Sequence, residues 1–266
     1  MSMKQWKRKQ PAREDKQLKQ RGKITAIVLD DSTIDELVHF INTGQVKSID
    51  YPISQGKEAF VFRATAGPKA AVPKGSEGYI AAKVYKYETS SFQKMAKYID
   101  GDNRFSHVKR QLRPLVQQWA RKEYANLQAC FAAKVAVPKP LAYRKNVVLM
   151  EFLGEGGVPA ALLKDIVLDD PRETYREVLE NMKKLHQKAK LVHADLSEFN
   201  VIIYKGHPVF IDVSQSVLLD HPMAGEFLKK DVENVVKYFQ NEGVESANFD
   251  NAYEYVTGKK PAPKQD

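Results

Sequence analysis

The stretch from Leu191 to Asp212 constrains the fold of this chain more than any other. It begins with His193-Ala-Asp195, places Asn200 five residues after the aspartate, and then runs two short apolar segments joined by a Gly-containing turn. Two such segments predict a β-hairpin with Asn200 and Asp212 at its open end. Two carboxylates and an amide brought together there are oxygen ligands that can orient a hydroxyl group or water and hold Mg²⁺ on nucleotide phosphates.

The spacing H-x-D-x-x-x-x-N is typical of the catalytic loop of phosphoryl-transfer enzymes. On this reading Asp195 is the proton-accepting or orienting carboxylate, Asn200 is a metal ligand, and Asp212 takes the place of the metal-binding aspartate of D-F-G. The alternative is a surface turn followed by an ordinary hairpin. The apolar flanks disfavour that alternative, because they place the carboxylates at strand ends, where a solvated loop gains nothing from their spacing.

Length and composition bound the class of protein. A chain of 266 residues indicates one large domain or two lobes with a real hydrophobic core. The single cysteine, Cys130, excludes a disulfide framework and a cysteine metal cluster, as expected for a reducing cytosol. No apolar run approaches about 18 residues and the polar start is unlike a secretory signal. We therefore expect a cytoplasmic protein with no membrane association.

Positive charge is concentrated at the N-terminus. The chain carries a net charge of +9, and the first 23 residues hold nine Lys or Arg against two acidic residues. Such a segment is expected to be flexible and attracted to polyanions, with RNA as the favoured partner. A solubilising tail is the alternative, since charge alone carries no sequence specificity.

The sequence after the tail predicts a helix and a glycine-containing loop. Asp30 to Thr33 supplies capping residues for a helix whose apolar positions are Ile34, Leu37, Val38 and Ile41, and Gly44 ends it. Extended segments at 46–54 and 59–64 flank Gln55-Gly-Lys-Glu58. A strand, a glycine turn and a second strand can cover phosphates. A plain hairpin is the alternative, because the loop is neither a Walker A sequence nor G-x-G-x-x-G.

A lysine in the next strand supports the phosphate-loop reading. Lys83 is flanked by apolar residues in the strand 78–85, and burying its charge requires an anionic partner. Glu123 is the only acidic residue of the helical segment 116–133 and is the candidate partner. This pair resembles the lysine of V-A-I-K and the helix glutamate of protein kinases. The alternative is a solvated glutamate on an exposed helix face.

The rest of the chain predicts a hinge and a helical C-terminal half. A polar stretch at 86–113 is expected to be mobile or to engage a substrate. The apolar strand 147–152 leads into a Gly-containing hinge at 154–159. Just before this hinge, Met150, Glu151 and Leu153 are candidates for nucleotide binding, the last two through main-chain groups. Helices are expected at 160–168, 171–189, 224–239 and 244–257.

The region after Asp212 lacks a peptide-docking platform. Protein kinases have a long activation segment after the metal-binding aspartate, ending in A-P-E. Here nine residues separate Asp212 from Pro222, and no A-P-E follows. No sequence is present that could form such a platform.

The combined motifs closely resemble the RIO family of atypical serine/threonine protein kinases, type 1 branch, over about residues 34–244. The motifs that carry the resemblance are Ser54-Gln-Gly-Lys-Glu-Ala59, Trp119-Ala-Arg-Lys-Glu123-Tyr-Ala-Asn-Leu127, Met150-Glu-Phe-Leu-Gly154, Leu191-Val-His-Ala-Asp-Leu-Ser-Glu-Phe-Asn200, Ile211-Asp-Val-Ser-Gln-Ser216 and Asp220-His-Pro222. Gln55 stands where the family more usually has Thr. The short chain resembles archaeal members in size.

The resemblance implies an α+β, bilobal, protein-kinase-like fold with a small β-rich N-lobe, a mostly helical C-lobe, and no activation segment or peptide-docking region. Its expected divisions are a basic tail at 1–29, the N-lobe at 30–153, the C-lobe at 154–258 and a C-terminal tail at 259–266. ATP and Mg²⁺, or Mn²⁺, would bind between the lobes, and the expected role is maturation of the small ribosomal subunit, with rRNA and proteins of the pre-small subunit as partners.

The resemblance also assigns roles to residues. Asp195 and Asp212 would be catalytic, and Asn200 and Asp212 would bind metal. Hydrolysis of ATP through an aspartyl-phosphate would place the phosphoryl group on Asp212. The residues expected to bind ATP are Ser54, Gly56, Lys57, Lys83, Glu123, Met150, Glu151 and Leu153.

Two functions of other classes are the alternatives. A small-molecule phosphotransferase of the aminoglycoside or choline kinase type uses a similar H-x-D-x-x-x-x-N loop, but its enlarged helical substrate region has little room in this chain. A nucleotide-gated RNA- or protein-binding module without chemistry is disfavoured, because Lys83, Asp195, Asn200 and Asp212 are all present.

Overall fold

A computed structural model describes residues 29–73, 76–88, 98–105 and 111–259. The basic segment 1–28, the last seven residues and much of the polar stretch 86–113 lie outside the described residues, so the expectations for them stay predictions. The helices are α1 (Asp31–Asn42), α2 (Leu112–Ala132), α3 (Pro171–Gln187), α4 (Ala224–Asn241) and α5 (Phe249–Thr257). The strands are β1 (Val46–Gln55), β2 (Ala59–Ala66), β3 (Tyr79–Tyr85), β4 (Pro140–Arg144), β5 (Val147–Glu151), β6 (Gly154–Glu155), β7 (Val158–Pro159), β8 (Ala161–Leu162), β9 (Leu191–Val192), β10 (Val201–Tyr204), β11 (His207–Phe210) and β12 (Val217–Leu218).

Five strands of the N-terminal half form one antiparallel sheet in the order β1-β2-β3-β5-β4. Strand β3 is therefore central, as predicted for the lysine-bearing strand. Side chains alternate across a strand, so Ile80, Ala82 and Val84 enter the core on the α1 side. Ala81 and Tyr85 enter the larger core shared with α2. The same alternation turns Lys83 toward α2.

Helix α1 begins as predicted and buries one narrow face. The Asp30 side chain accepts a hydrogen bond from the Thr33 N–H, which caps the first turn. Of the four predicted apolar positions only Leu37 is buried, and it packs on the sheet beside Phe40. The other three are exposed, because α1 contacts the sheet along a single stripe of its surface. These three residues are Ile34, Val38 and Ile41, exposed by 44%, 44% and 39%.

Helix α2 starts four residues before the predicted segment, at Leu112 instead of Val116. Pro114 lies in its first turn, where the backbone N–H has no helical partner and proline is tolerated. One face of α2 is fully buried, and it carries polar as well as apolar side chains. The buried residues of α2 are Leu115, Val116, Trp119, Ala120, Lys122, Glu123, Asn126, Leu127 and Cys130.

The C-terminal half is mostly helical around one hairpin. Strands β10 and β11 form the predicted hairpin, with Val201 opposite Phe210, so Asn200 and Asp212 flank its open end. The helix predicted at 160–168 is wrong. Ala161 and Leu162 pair instead with Ile203 and Ile202 of β10, and a short 3₁₀ turn follows. The last helix also starts later than predicted, at Phe249, after an Asn248 cap.

No helix of the described part of the chain is long and apolar enough to cross a membrane.

Candidate active site

Lys83 makes two ion pairs in the cleft between the sheet and the helical half. Its Nζ lies 2.7 Å from Oε1 of Glu123 and 2.9 Å from Oδ1 of Asp212. The lysine is 7% exposed and Glu123 is 1% exposed. Burial alone would lower the pKa of Lys83, but the Asp212 and Glu123 carboxylates outweigh it and raise the pKa above its ordinary value. The predicted lysine–glutamate pair is present, and Lys83 is held as a cation.

Tyr85 completes the environment of Glu123. Its hydroxyl donates to Oε2 of Glu123 at 2.5 Å, while Oε1 receives Lys83, so both carboxylate oxygens are bonded. Burial and the Glu123 charge raise the pKa of Tyr85 well above its ordinary value, and the hydroxyl keeps its proton. The pairing of Lys83 with Glu123 is thus supported by a third side chain, two residues along the same strand.

Tyr85→Phe is expected to lower the free energy of unfolding by about 1–3 kcal/mol, because it leaves a buried carboxylate oxygen without a donor. Urea unfolding monitored by circular dichroism measures the difference. Tyr124→Phe is the matched control, since Tyr124 lies next to Glu123 on α2 and its hydroxyl makes no hydrogen bond within the described residues. Equal stabilities of Tyr85→Phe and wild type would contradict the supporting role.

Asp212 has a left-handed backbone, with φ 58° and ψ 58°. Such a conformation is uncommon for a residue other than glycine, although aspartate tolerates it better than most, and it is frequent at functional sites. The Ser214 hydroxyl donates to Oδ1 of Asp212 at 2.7 Å. Desolvation favours the protonated acid, but Lys83 and Ser214 hold the pKa of Asp212 below its ordinary value. Its side chain is 44% exposed, so an ionised carboxylate faces the cleft.

Asp195 and Asn200 are joined within the catalytic loop. The Asn200 amide nitrogen donates to the main-chain carbonyl of Asp195 at 2.7 Å and to its Oδ2 at 3.2 Å. The Gln215 amide nitrogen donates to the same Oδ2 at 2.9 Å. The 3₁₀ turn Val213–Gln215 therefore carries one residue bonded to Asp212 and one bonded to Asp195. This turn brings the two predicted catalytic carboxylates to one place.

Asp231 of α4 supports the loop from behind. Its two carboxylate oxygens accept hydrogen bonds from the N–H groups of Ala194 and Leu196, each at 2.8 Å. Burial raises the pKa of Asp231 to about 7, against the lowering effect of these two donors. Ala194 has φ 67°, so the loop holds an unfavourable backbone conformation there. The side chain of Asp195, between the two donors, is thus aimed by a fixed backbone.

His193 lies beneath the same loop. Its Nε2 is 3.2 Å from the carbonyl of Ile211, which connects the catalytic loop to the residue before Asp212. Burial lowers the pKa of His193 to about 4, so the imidazole is neutral near pH 7. The contact with Ile211 therefore links the backbone of the catalytic loop to the segment that carries Asp212.

The predicted phosphate loop joins β1 to β2. Ser54, Gly56 and Lys57 are exposed, and the turn closes with the Gly56 N–H donating to the carbonyl of Ala59 at 2.9 Å. Lys86 donates from Nζ to the carbonyl of Gly56 at 2.7 Å and was not predicted as part of this loop. The loop is placed beside the cleft by the two strands that it joins and by Lys86, whose main-chain N–H also donates to the carbonyl of Glu58 at 2.9 Å.

The predicted hinge follows β5. Met150 is 8% exposed, and the N–H of Glu151 donates to the carbonyl of Lys139 at 2.9 Å. The carbonyl of Leu153 accepts from Ala160, whereas its N–H meets no acceptor in the described part of the chain. Of the main-chain groups named for the hinge, the Leu153 N–H is thus free to bond a ligand, and the Glu151 N–H is not.

Gly154 explains the tight turn after this position. A Cβ there would lie 2.2 Å from the carbonyl oxygen of Val158. Only glycine lets β6 and β7 approach so closely. The hinge is therefore a small hairpin and not an extended linker.

The residues present fit a magnesium ion. Both amide hydrogens of Asn200 point at Asp195, which leaves its amide oxygen as a ligand, and Oδ2 of Asp212 has no hydrogen bond within the described residues. Among those residues no group of three or more His, Cys, Asp or Glu could hold a metal. Mg²⁺ usually takes one or two carboxylates and completes its octahedron with phosphate oxygens and water. A one-carboxylate, one-amide site suits that chemistry and would not suit a closed structural metal centre.

The sequence predictions missed several residues that support the site. Among them are Tyr85, Lys86, Ser214, Gln215 and Asp231. Ser214 and Gln215 lie in the Ile-Asp-Val-Ser-Gln motif that the sequence singled out, so their place beside Asp212 was a usable signal. Tyr85 and Asp231 carry no local signal, since polar groups within apolar strands and helices become informative only when their partners are known.

The segment between Asp212 and helix α4 is short in the structure, as it is in the sequence. The 3₁₀ turn leads to β12, which pairs with β9, and α4 starts at Ala224. Only this turn and the two-residue strand β12 lie between Asp212 and α4, so the segment has the short length that the sequence gives it.

Comparison with known proteins identifies the family. The profile of the RIO domain matches residues 61–252. The RIO-type serine/threonine-protein kinase Rio1 of Haloferax volcanii is 40% identical over 236 residues, covering 89% of this chain and 78% of the relative. Its counterpart in Thermoplasma acidophilum is 39% identical over 199 residues, covering 75% of this chain and 100% of the relative. Human serine/threonine-protein kinase RIO1 is 39% identical over 235 residues, covering 86% of this chain and 40% of the relative.

Solved structures share the fold. The Rio2 kinase of Chaetomium thermophilum aligns with a TM-score of 0.61 at 21% identity, covering 92% of this chain and 76% of that one. The ADP/Mg²⁺-phosphoaspartate complex of the same kinase aligns with a TM-score of 0.61 at 21% identity, covering 84% of this chain and 66% of that one. The α+β kinase-like fold is thereby confirmed. The chain belongs to the RIO family of atypical serine/threonine protein kinases, in its Rio1 branch.

Proposed function

We propose that this kinase uses ATP with Mg²⁺, or Mn²⁺, both to phosphorylate and to hydrolyse, and that it acts on the pre-small ribosomal subunit in the cytoplasm. One observation carries the chemical part of the proposal. A single 3₁₀ turn links the Asp212 carboxylate, which pairs with Lys83, to the Asp195 carboxylate.

ATP would bind between an N-lobe at 30–153 and a C-lobe at 154–258. In this proposal Lys83 contacts the phosphates while Glu123 holds it, and the loop bearing Ser54, Gly56 and Lys57 covers them. Met150 packs beside the adenine, and the carbonyl of Glu151 and the N–H of Leu153 bond its edge. The free N–H of Leu153 supports this arrangement.

Asn200 and Asp212 would hold the metal ion. When bound, Mg²⁺ neutralises charge on the phosphates and polarises the transferred group. The protein contributes a carboxylate kept ionised by Lys83 and an amide oxygen kept in place by the two hydrogen bonds of its nitrogen.

Asp212 would also accept the phosphoryl group. Its Oδ2 attacks the γ-phosphorus, the bond from that phosphorus to the β,γ-bridging oxygen breaks, and the electron pair leaves with ADP. A water molecule then attacks the aspartyl-phosphate and loses a proton to Asp195, which releases inorganic phosphate and restores Asp212. The lowered pKa of Asp212 supports a nucleophilic role, because the carboxylate is ionised near pH 7.

The missing peptide platform supports a role in timing. With no surface for a peptide between Asp212 and α4, turnover of ATP on the enzyme itself suits control of release from a large particle better than rapid peptide phosphorylation. The basic segment at residues 4–23 supplies charge for contact with rRNA.

The test combines turnover with particle binding. Purified protein is incubated with ATP and Mg²⁺ and assayed for phosphate release, and then mixed with precursor or mature small subunits and sedimented. We expect release of phosphate, and co-sedimentation with precursor subunits that differs between a non-hydrolysable ATP analogue and ADP. Rapid phosphorylation of one small molecule from a metabolite panel, without binding to subunits, would overturn the ribosomal role in favour of a small-molecule phosphotransferase.

A further inference from the structure

A lysine with no exposed surface lies directly behind the turn that carries the catalytic groups. Lys122 of α2 is 0% exposed, and its Nζ donates to the carbonyl of Ser214 at 2.9 Å and to the carbonyl of Ser216. One helical turn later, Asn126 donates to the carbonyls of Val213 at 2.8 Å and Ser216 at 3.0 Å. We call Lys122 and Asn126 the carbonyl clamp. Together they hold three carbonyls of the four residues that follow Asp212.

Burying the polar side chains of the carbonyl clamp costs free energy that an apolar packing surface on α2 would not cost. No carboxylate lies within 4.0 Å of Lys122 Nζ among the described residues. Its direct contacts are the two carbonyls and the Trp119 ring, whose centroid is 5.5 Å from Nζ, while the charges of Asp102 and Glu123 act from further away. Burial lowers the pKa of Lys122 to about 7. An apolar side chain of similar length would bury at lower cost. We therefore attribute the lysine at position 122 to its hydrogen bonds with the carbonyls, and not to packing of the hydrophobic core.

The carbonyl clamp holds residues 213–216, the segment that directly follows the strained backbone of Asp212. Asp212 keeps a left-handed conformation, which is unfavourable for a residue other than glycine unless its surroundings support it. Between Val213 and Ser216 lie the two side chains that bond Asp212 and Asp195, namely Ser214 and Gln215. Because Glu123, the neighbour of Lys122, binds Lys83, one turn of α2 reaches both the lysine and the metal-binding segment.

We propose that Lys122 and Asn126 are positioning residues that set Asp212 in its metal-binding orientation before nucleotide arrives. The inference rests on the proposed function, in which Asp212 binds Mg²⁺. It explains how the segment after Asp212 is ordered without the long activation segment that other protein kinases have. Groups that orient a metal ligand typically affect metal affinity or activity by about 10–100-fold when removed.

The test separates metal-dependent from metal-independent nucleotide binding. Lys122→Met and Asn126→Leu each remove donors at nearly constant side-chain volume, and ADP binding is measured by calorimetry in EDTA and across a Mg²⁺ titration. We expect ADP affinity in EDTA to match that of the wild type and the Mg²⁺ concentration for half-maximal tightening to rise about 10–100-fold. Cys130→Ala is the matched control, because Cys130 is buried in the same helix and its side chain makes no hydrogen bond to residues 213–216. Loss of stability without a change in Mg²⁺ dependence is expected for that control.

The outcomes are distinguishable. If folded Lys122→Met and Asn126→Leu proteins keep the wild-type Mg²⁺ dependence, or if Cys130→Ala shifts it equally, the positioning role is overturned while the proposed function stands. If the wild type itself binds no ADP at any Mg²⁺ concentration, the proposed function fails and the inference fails with it. Should one clamp variant not fold, the other decides alone, since each removes donors to the carbonyl of Ser216.

Discussion

We expect Asp195→Ala to lower the rate of ATP turnover by about 10²–10⁴-fold, while the affinity for ATP stays within about threefold of the wild type. The reason is that Asp195 acts on the attacking water or hydroxyl group and has no expected contact with the phosphates of bound ATP. Its Oδ2 is held by Asn200 and Gln215, so the carboxylate is already oriented when substrate arrives. Phosphate release under saturating ATP and Mg²⁺ measures the rate, and calorimetry measures binding.

The control for this variant is Glu198→Gln, which changes a carboxylate on the same loop that the proposed mechanism does not use. It is expected to turn over ATP at close to the wild-type rate. Undiminished hydrolysis by Asp195→Ala would remove Asp195 from the catalytic role.

Asp212→Asn is expected to abolish the phosphorylated enzyme and to lower turnover by about 10³-fold. The amide is a poor nucleophile and a weaker metal ligand, and it no longer balances the charge of Lys83. Asparagine tolerates the left-handed backbone of this position, so the fold should survive the change. Acid quenching after incubation with γ-labelled ATP, followed by hydroxylamine, detects an acyl-phosphate by its loss of label.

Asp220→Asn is the control for the second variant, because Asp220 lies exposed at the end of the same segment and its carboxylate accepts a hydrogen bond from Asn103 outside the cleft. It should retain both label and turnover. Hydroxylamine-sensitive label persisting in Asp212→Asn would place the phosphoryl group on another residue and contradict the proposed intermediate.

Asp195→Ala and Asp212→Asn are expected to have opposite effects on the amount of phosphorylated enzyme. Asp195→Ala should accumulate label, because transfer to Asp212 precedes the water attack that needs Asp195. Asp212→Asn should carry none. Equal labelling of the two proteins would exclude the proposed order of steps.

Much of the fold follows from local patterns in the chain. The apolar neighbours of Lys83 in Tyr79–Tyr85 predict a buried lysine that needs an anionic partner, and the short turn between two apolar segments predicts the hairpin that brings Asn200 and Asp212 to one end. The five-residue spacing from Asp195 to Asn200 lets the amide return to the aspartate's own carbonyl. These are effects of backbone geometry over a few residues, which sequence spacing describes directly.

The predictions that failed depended on distant parts of the chain. The sequence around Ala161 and Leu162 predicts a helix. In the structure these two residues form an edge strand that pairs with β10, a strand that comes much later in the chain. The helix predicted around Leu37 is present, but the sequence does not show that Ile34, Val38 and Ile41 face outward, because only the stripe around Leu37 packs on the sheet. Local periodicity identifies a helix but not the width of the surface on which it packs.

The sequence by itself determined the main chemical groups of the site, the strand and hairpin that carry Lys83, Asn200 and Asp212, and the short segment after Asp212. Residue type and short spacing are enough to identify each of these. Only the tertiary structure decided how those groups are held. Tyr85 meets Glu123 across 38 residues, and Lys122 meets the carbonyl of Ser214 across 92. A buried polar side chain acquires its role from the partner that satisfies it, and that partner is chosen when the chain packs.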